Sequence, residues 1–314
     1  MMRSLYSGIS GLRNHQTRMD VIGNNIANVN TTGYKASRVI FQDIFSQTVQ
    51  GGAASNPAAN VGGTNPMQIG LGIRLSSIDV IHTASAFART DRAEDMMIAG
   101  DGFFILLNPE TPVPDPDDDD VDPSLFFTRA GNFTIDDDGY LVSSHGFFVL
   151  GRKADIVVNN GIVDVDMDDY TPLERIRLRI ENPDHDPNDP TTGPPMIQFT
   201  NFTVDNRGNI EVMIQGEREV IAQLQLAMFS NPGGLMKEGS SLYTQTNSSG
   251  DAVIIDEPGT GGSGPIMSGG LEMSNVDLAT EFTDMIVTQR GFQANSRIIT
   301  VSDTMLEELV NLKR

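Results

Sequence analysis

The chain has no cysteine and no tryptophan among its 314 residues. Without cysteine there is no disulfide, no thiolate nucleophile, no thiolate-bound zinc and no iron–sulfur cluster, which excludes several enzyme classes at once. Positive charge is also scarce, with 21 Lys plus Arg against 42 Asp plus Glu and a formal net charge of -21. A surface of that sign repels phosphate backbones and acidic bilayers, so neither nucleic acid nor a membrane surface is an expected partner. Long apolar runs are missing too, and none approaches the roughly 18 residues of a membrane span. The stretch Met1 to Leu12 carries one Arg and a short apolar run broken by Ser and Gly, unlike a cleavable signal peptide. What is present, 39% hydrophobic residues, suffices for a real core.

The four histidines, His15, His82, His145 and His185, are scattered and form no pair with metal-ligand spacing. Gly100-Asp101-Gly102 precedes an apolar strand instead of opening a helix, so it lacks the dipole that holds phosphate. The run Asp136 to Gly139 lacks the alternating acids and the closing Glu of a calcium loop. Asp117 to Asp120 is a solvated charge cluster, and no Ser, His and acid spacing suggests a triad. The expectation is a non-enzyme with no cofactor, metal or catalytic residue.

The two ends are patterned as helices. Leu5, Ile9, Leu12, Met19, Ile22, Ile26 and Val29 recur at steps of three, four or seven. Near the other end Leu278, Met285, Phe292, Ile299 and Leu306 lie at strict intervals of seven, flanked by Phe282, Ile286 and Leu309, with Asn275 or Ser274 as expected N-cap. Between the ends short apolar runs read as β: Phe103 to Leu107, Phe147 to Leu150, Ile156 to Val158, Ile176 to Ile180, Ile210 to Ile214 and Val220 to Phe229. One repeat supports this. Asn132 to Gly139 recurs as Asn201 to Gly208, each copy reading as strand, turn, strand with Gly supplying a positive φ.

The segments 108–123 and 181–195 hold eleven acidic residues and ten prolines between them and read as solvated loops. The fold expected is therefore α+β, with long terminal helices paired as a coiled coil and a mainly-β middle. Its parts are an N-terminal helix at 1–35, a linker at 36–75, a first β portion at 76–153 and a small outer lobe at 154–200. A second β portion follows at 201–257, then a Gly-rich linker at 258–272 and a C-terminal helix at 273–314. Amphipathic helices of this length need helical partners. The two ends can pair, yet a two-helix rod buries little, so copies from neighbouring molecules would complete the packing and build a helical tube. The apolar residues just named form the expected self-assembly seam. A secreted β-rich adhesin with helical oligomerisation handles is the rival class.

These residues resemble the axial proteins of the bacterial flagellum, the rod and hook subunits. Leu5 to Leu12 and Asp20 to Lys35 are similar to that family's N-terminal signature. Gly100 to Phe104 and Phe127 to Phe133 resemble its β domain, and Phe229 to Leu235 a later strand-and-turn element. Leu271 to Leu278 and Thr288 to Arg297 are closer to hook wording than to the distal rod, for which an Ala-Tyr pair would be expected at 291 and 292. The lobe at 154–200 is small for a hook subunit, which keeps the distal rod as the alternative. The resemblance implies a structural subunit that self-assembles into a flexible tube transmitting motor torque to the filament. It also implies export through the flagellar type III apparatus without cleavage, and location in the hook or basal body. Partners would be rod and hook–filament junction proteins and the hook cap. Phe41 and Phe45 resemble the aromatic export signal of such subunits; a helix or strand anchor is the alternative role.

Overall fold

The computed structural model describes residues 2–54, 62–109, 125–153, 155–159, 162–166, 173–181, 196–198, 202–214 and 217–312. Apart from residues 108, 109 and 181, the two acidic segments read as solvated loops lie outside the described residues. The architecture is α+β, with a helix at each end and a mostly β middle. Two compact units divide it: one comprises 1–29, 36–81 and 276–314, the other 30–35 and 82–275. No helix among the described residues is long and apolar enough to cross a membrane.

In the helical unit, α1 spans Met2–Ala27 and α2 spans Leu278–Asn311. At 1.5 Å per residue they measure about 39 and 51 Å. The N-cap of α2 is Asp277, not Asn275 or Ser274: its carboxylate accepts from Ala279 N at 3.0 Å and from the Thr280 hydroxyl at 2.8 Å. Glu281 in the first turn adds a favourable charge at the positive helix end. The two cap candidates are engaged in the β unit instead, where Ser274 O accepts from the Ser85 hydroxyl and Asn275 donates to Thr83. The stretch 36–75, read as a linker, is largely sheet. Strand Ser37–Asp43 pairs antiparallel with Ile73–Val80, and Ser46–Gln50 with Met67–Gly70. Asn14 of α1 donates to Ile73 O at 2.8 Å, tying the first hairpin to its helix.

In the β unit an antiparallel sheet runs in the order Phe202–Val204, Asn209–Ile214, Glu217–Leu224, Phe148–Lys153, Phe103–Leu107, Leu125–Thr128, Leu242–Thr244 and Met236–Gly239. The central strand Phe103–Leu107 is buried at all five positions, as its unbroken apolar run requires. Its faces alternate: Phe104 and Leu106 join the core of Phe133, Leu141, Val149 and Leu224, while Phe103, Ile105 and Leu107 join Phe127, Leu150, Phe229 and Tyr243. The repeated octapeptide forms the same turn twice. Asp136 N donates to Tyr140 O and Gly139 N to Asp136 O; Asp205 N donates to Asn209 O and Gly208 N to Asp205 O. The closing glycines have φ of 83° and 79°, values open to Gly at no Cβ cost.

Two apolar runs are not single strands. Ile176 to Ile180 falls between strands Glu174–Arg175 and Arg179–Glu181, because the backbone there changes partners: Ile176 N donates to Val149 O and Leu178 N to Gly139 O. Ile176 and Leu178 nevertheless fill the core. Val220 to Phe229 breaks at Gln225, whose buried amide donates to Asp256 at 2.7 Å. Before it Glu217–Leu224 pairs with Phe148–Lys153; after it Leu226–Met228 pairs with Phe103–Leu107 and Val253–Ile255. The lobe at 154–200 contains hairpins Asp155–Asn159 with Ile162–Asp166, and Arg179–Glu181 with Met196–Gln198. The Gly-rich 258–272 segment is not merely a spacer, since Ile266–Ser268 pairs with Met96–Ile98 and Gly270–Glu272 with Phe87–Arg89.

Candidate assembly site

Within the helical unit α1 and α2 lie side by side and antiparallel. Ser4 meets Ser302 hydroxyl to hydroxyl at 3.5 Å, Arg18 pairs with Asp284 at 2.9 Å, and Asn25 donates to Glu281 at 3.0 Å. Between these, Gly8 and Gly11 are buried, and a Cβ on Gly11 would stand 2.5 Å from the Asn295 amide. Gly291 packs against the His15 ring, where a Cβ would meet Cε1 at 2.9 Å. Burial, followed by the nearby Arg18 charge, lowers the His15 pKa below the ordinary histidine value. The face joining the two helices thus includes small and polar residues that let the backbones approach closely, together with apolar ones such as Ile299, whose side chain stands 3.4 Å from the Cβ position of Gly8.

The apolar positions of α2 are distributed differently. Leu278, Phe282 and Leu309 are exposed, as are Ile286, Val301 and Met305, while Met285, Phe292, Ile299 and Leu306 are half-buried. In α1 Ile22 is buried, Leu5, Leu12, Met19 and Ile26 are half-buried, and Ile9 is exposed. Val29, past the helix end, is half-buried. The hairpin Ser46–Gln50 with Met67–Gly70 also leaves Val49, Met67 and Ile69 exposed. Phe41 sits half-buried on its strand with its ring edge-on to His15 at 6.0 Å, whereas Phe45 is 66% exposed between strands.

The β unit holds a second constellation, which the sequence pattern does not reveal. The Lys35 ammonium lies 2.7 Å from Glu272 Oε1 with both side chains fully buried, and it also donates to Thr83 O at 2.6 Å. Ser85 N donates to the same carboxylate oxygen at 3.1 Å, and Arg129 Nη1 stands 3.6 Å from Oε2. The Arg129 guanidinium lies over the Phe103 ring at 5.3 Å. His82 packs edge-on to Phe103 and Tyr243, each at 5.5 Å, beside a cavity of about 230 Å³ that Asp101 and Arg129 also line. Burial pulls the Lys35 and Arg129 pKa values down against the opposing pull of Glu272. Burial, then Arg129, Lys35 and Lys237, hold His82 down to about 4, and burial pushes the Tyr243 hydroxyl up.

Three segments of the chain match known protein families. Residues 5–35 match the family described as flagella basal body rod protein, residues 97–212 the flagellar hook protein FlgE/F/G D1 domain, and residues 267–312 the flagellar basal body rod FlgEFG protein C-terminal. Over the whole of both chains the sequence is 43% identical to the flagellar basal-body rod protein FlgG of Bacillus subtilis. It is 33% identical to the flagellar hook protein FlgE of Borreliella burgdorferi, again across all of each chain. The chain belongs to the flagellar rod and hook protein family. A solved structure, the Helicobacter pylori flagellar hook protein FlgE2, overlaps 67% of this chain and 47% of its own at 15% identity and a TM-score of 0.21, too slight a likeness to carry an argument.

As a member of this family the chain is a structural protein of the flagellum. The ion cluster draws one residue from each of the three matched regions or their edges: Lys35 closes the first, Arg129 lies in the second and Glu272 in the third. Gly33, with φ of 67°, belongs to the same junction. Its N donates to Glu272 O at 2.9 Å, and a Cβ would stand 2.6 Å from Ala130 N.

Proposed function

We propose that the chain is the hook subunit, polymerising into a flexible tube through its terminal helices, with α1 and α2 of each copy paired as an antiparallel coiled coil. The observation that carries this reading is the apolar surface that α2 leaves uncovered: Phe282, Ile286, Val301, Met305 and Leu309 stay about half exposed. Burying the exposed half of such side chains is worth roughly 0.8–1.5 kcal/mol each, and exposed apolar patches on a surface mark interaction sites. The self-assembly seam expected from the sequence is Leu5, Ile9, Leu12, Met19, Ile22, Ile26 and Val29 with Leu278, Phe282, Met285, Phe292, Ile299, Leu306 and Leu309; of these Ile9, Leu278, Phe282 and Leu309 are the exposed ones, while Ile22 is buried in its own chain and Ile299 packs against Gly8. The role is mechanical, with no catalysis and no cofactor. Rod and junction proteins and the hook cap are the partners at the tube's ends. The subunit leaves through the flagellar export apparatus, and the exposed Phe45 is the better placed half of the Phe41 and Phe45 signal.

The distal rod is the second reading, and one observation favours it. Alignment with the Bacillus subtilis rod protein runs over 315 positions, so this chain is almost ungapped, whereas the Borreliella burgdorferi hook alignment runs over 457. That hook protein carries a large insertion which this chain lacks. Electron microscopy of purified protein at rising concentration tests both readings. Curved tubes are the hook outcome and straight ones the rod outcome; protein that stays monomeric at every concentration defeats both. Removing residues 275–314 abolishes tubes in either case.

A further inference from the structure

The exposed apolar residues of α2 do not form one stripe. At 3.6 residues per turn, Leu278, Phe282 and Ile286 lie on one flank of the face that meets α1. Ile298, Val301, Met305 and Leu309 lie on the opposite flank, which Val287 joins upstream. Beyond Ile286 the first flank turns polar, with Gln289, Gln293, Thr300 and Thr304. The helix thus presents one four-step apolar row on each side, centred in different halves of its length, with Val287 and the terminal Val310 and Leu312 outside that division.

The rows match. Leu278, Phe282 and Ile286 repeat at steps of four, as do Val301, Met305 and Leu309, with 23 positions between corresponding members. Charge is matched as well: Asp277 stands at the head of the first row and Arg297 at the head of the second. With the rows in register these two are offset by three residues, about 4.5 Å along a helix, within reach of a guanidinium arm. Two unlike patches on opposite flanks cannot be satisfied by a twofold dimer, in which one patch meets itself; they specify a contact that repeats from copy to copy.

Resting on the reading of the chain as a self-assembling subunit, we propose that the partner of each row is the other row of a second copy. The 278–282–286 row of one molecule seats against the 301–305–309 row of its neighbour, the two α2 helices parallel and staggered by 23 residues, about 35 Å.

The natural chain has no cysteine, so a cross-link reports the contact cleanly. Full-length Phe282→Cys and Met305→Cys chains, carrying tags of different mass, are mixed, assembled and oxidised. The expected product is the mixed disulfide dimer, at least tenfold over either homodimer. Tubes that give only 282–282 or 305–305 links, or none, overturn the stagger while leaving self-assembly standing; wild-type protein that never assembles overturns both. Should the cysteine chains fail to assemble, Phe282→Glu and Met305→Glu decide. Each alone is expected to remain monomeric, and their mixture to stop at dimers through the one intact pair of rows. A mixture that stays monomeric refutes the contact.

Discussion

Lys35 and Glu272 are 237 positions apart in the chain and 2.7 Å apart in the fold, with neither side chain reaching solvent. A buried pair of this kind adds little net stability, yet removing one member strands the other charge at a cost of about 3–5 kcal/mol. Glu272→Gln strands two cations, Lys35 and Arg129. We expect its unfolding free energy, read from a urea titration, to drop by that amount with a lower midpoint, and the double variant Lys35→Met with Glu272→Gln to be more stable than Glu272→Gln alone. Equal midpoints for Glu272→Gln and wild type would show that the carboxylate does not hold the cluster.

His82 gives the β unit an acid-sensitive term. Its pKa in the folded protein is about 4, against 6.5 for the free side chain, because it is buried near Arg129, Lys35 and Lys237. The unfolded chain therefore takes up the proton first. The contribution is whole above pH 6.5 and is lost as the pH falls from 6.5 towards 4, by up to roughly 3 kcal/mol. His82→Phe keeps a ring against Phe103 and Tyr243 and should flatten that part of the melting-temperature profile. A variant as acid-sensitive as wild type across this window would remove His82 from the account.

Two glycines should respond in opposite senses to alanine. At Gly131 a Cβ would overlap Met96 O at 1.7 Å, so the backbone must move and several kcal/mol of stability should be lost. At Gly23, inside α1, nothing lies within 4 Å of the added carbon. There alanine raises helix propensity by about 0.5–1 kcal/mol. Thermal melts of the two variants separate the cases.

In a single molecule α2 leaves Phe282, Ile286, Val301, Met305 and Leu309 about half exposed, so its cover is incomplete until copies join. Hydrogen exchange across 278–309 should be fast in dilute monomer and slow in assembled tubes, while Phe103–Leu107 stays protected in both. Strong protection of α2 in a verified monomer would mean that the chain itself supplies enough cover.

Much of the β body was legible because its signals are local. Phe103–Leu107 reads as a buried strand from five consecutive apolar residues, and the octapeptide repeat shows both turns through their glycines. The α2 heptad was legible as a helix but misleading as a single contact line. A straight α-helix drifts by about 20° per seven residues, so the row from Leu278 to Leu306 walks from an exposed flank to the inner side, where Ile299 approaches Gly8. On the α1 side, several residues that join the helices, Gly8, Gly11, His15 and Asn25, carry no apolar signal. The Lys35, Arg129 and Glu272 cluster was illegible for a different reason: charges meeting across more than two hundred positions leave no period to read.

The chain passes between its two units at four places, 29/30, 35/36, 81/82 and 275/276. Lys35, His82 and, three residues before the last passage, Glu272 stand beside three of those passages: Lys35 and Glu272 share a buried ion pair, and His82 packs on the Phe103 ring that Arg129 also covers. The points where the chain enters and leaves the β body are therefore anchored in one interior, not left as separate loose ends.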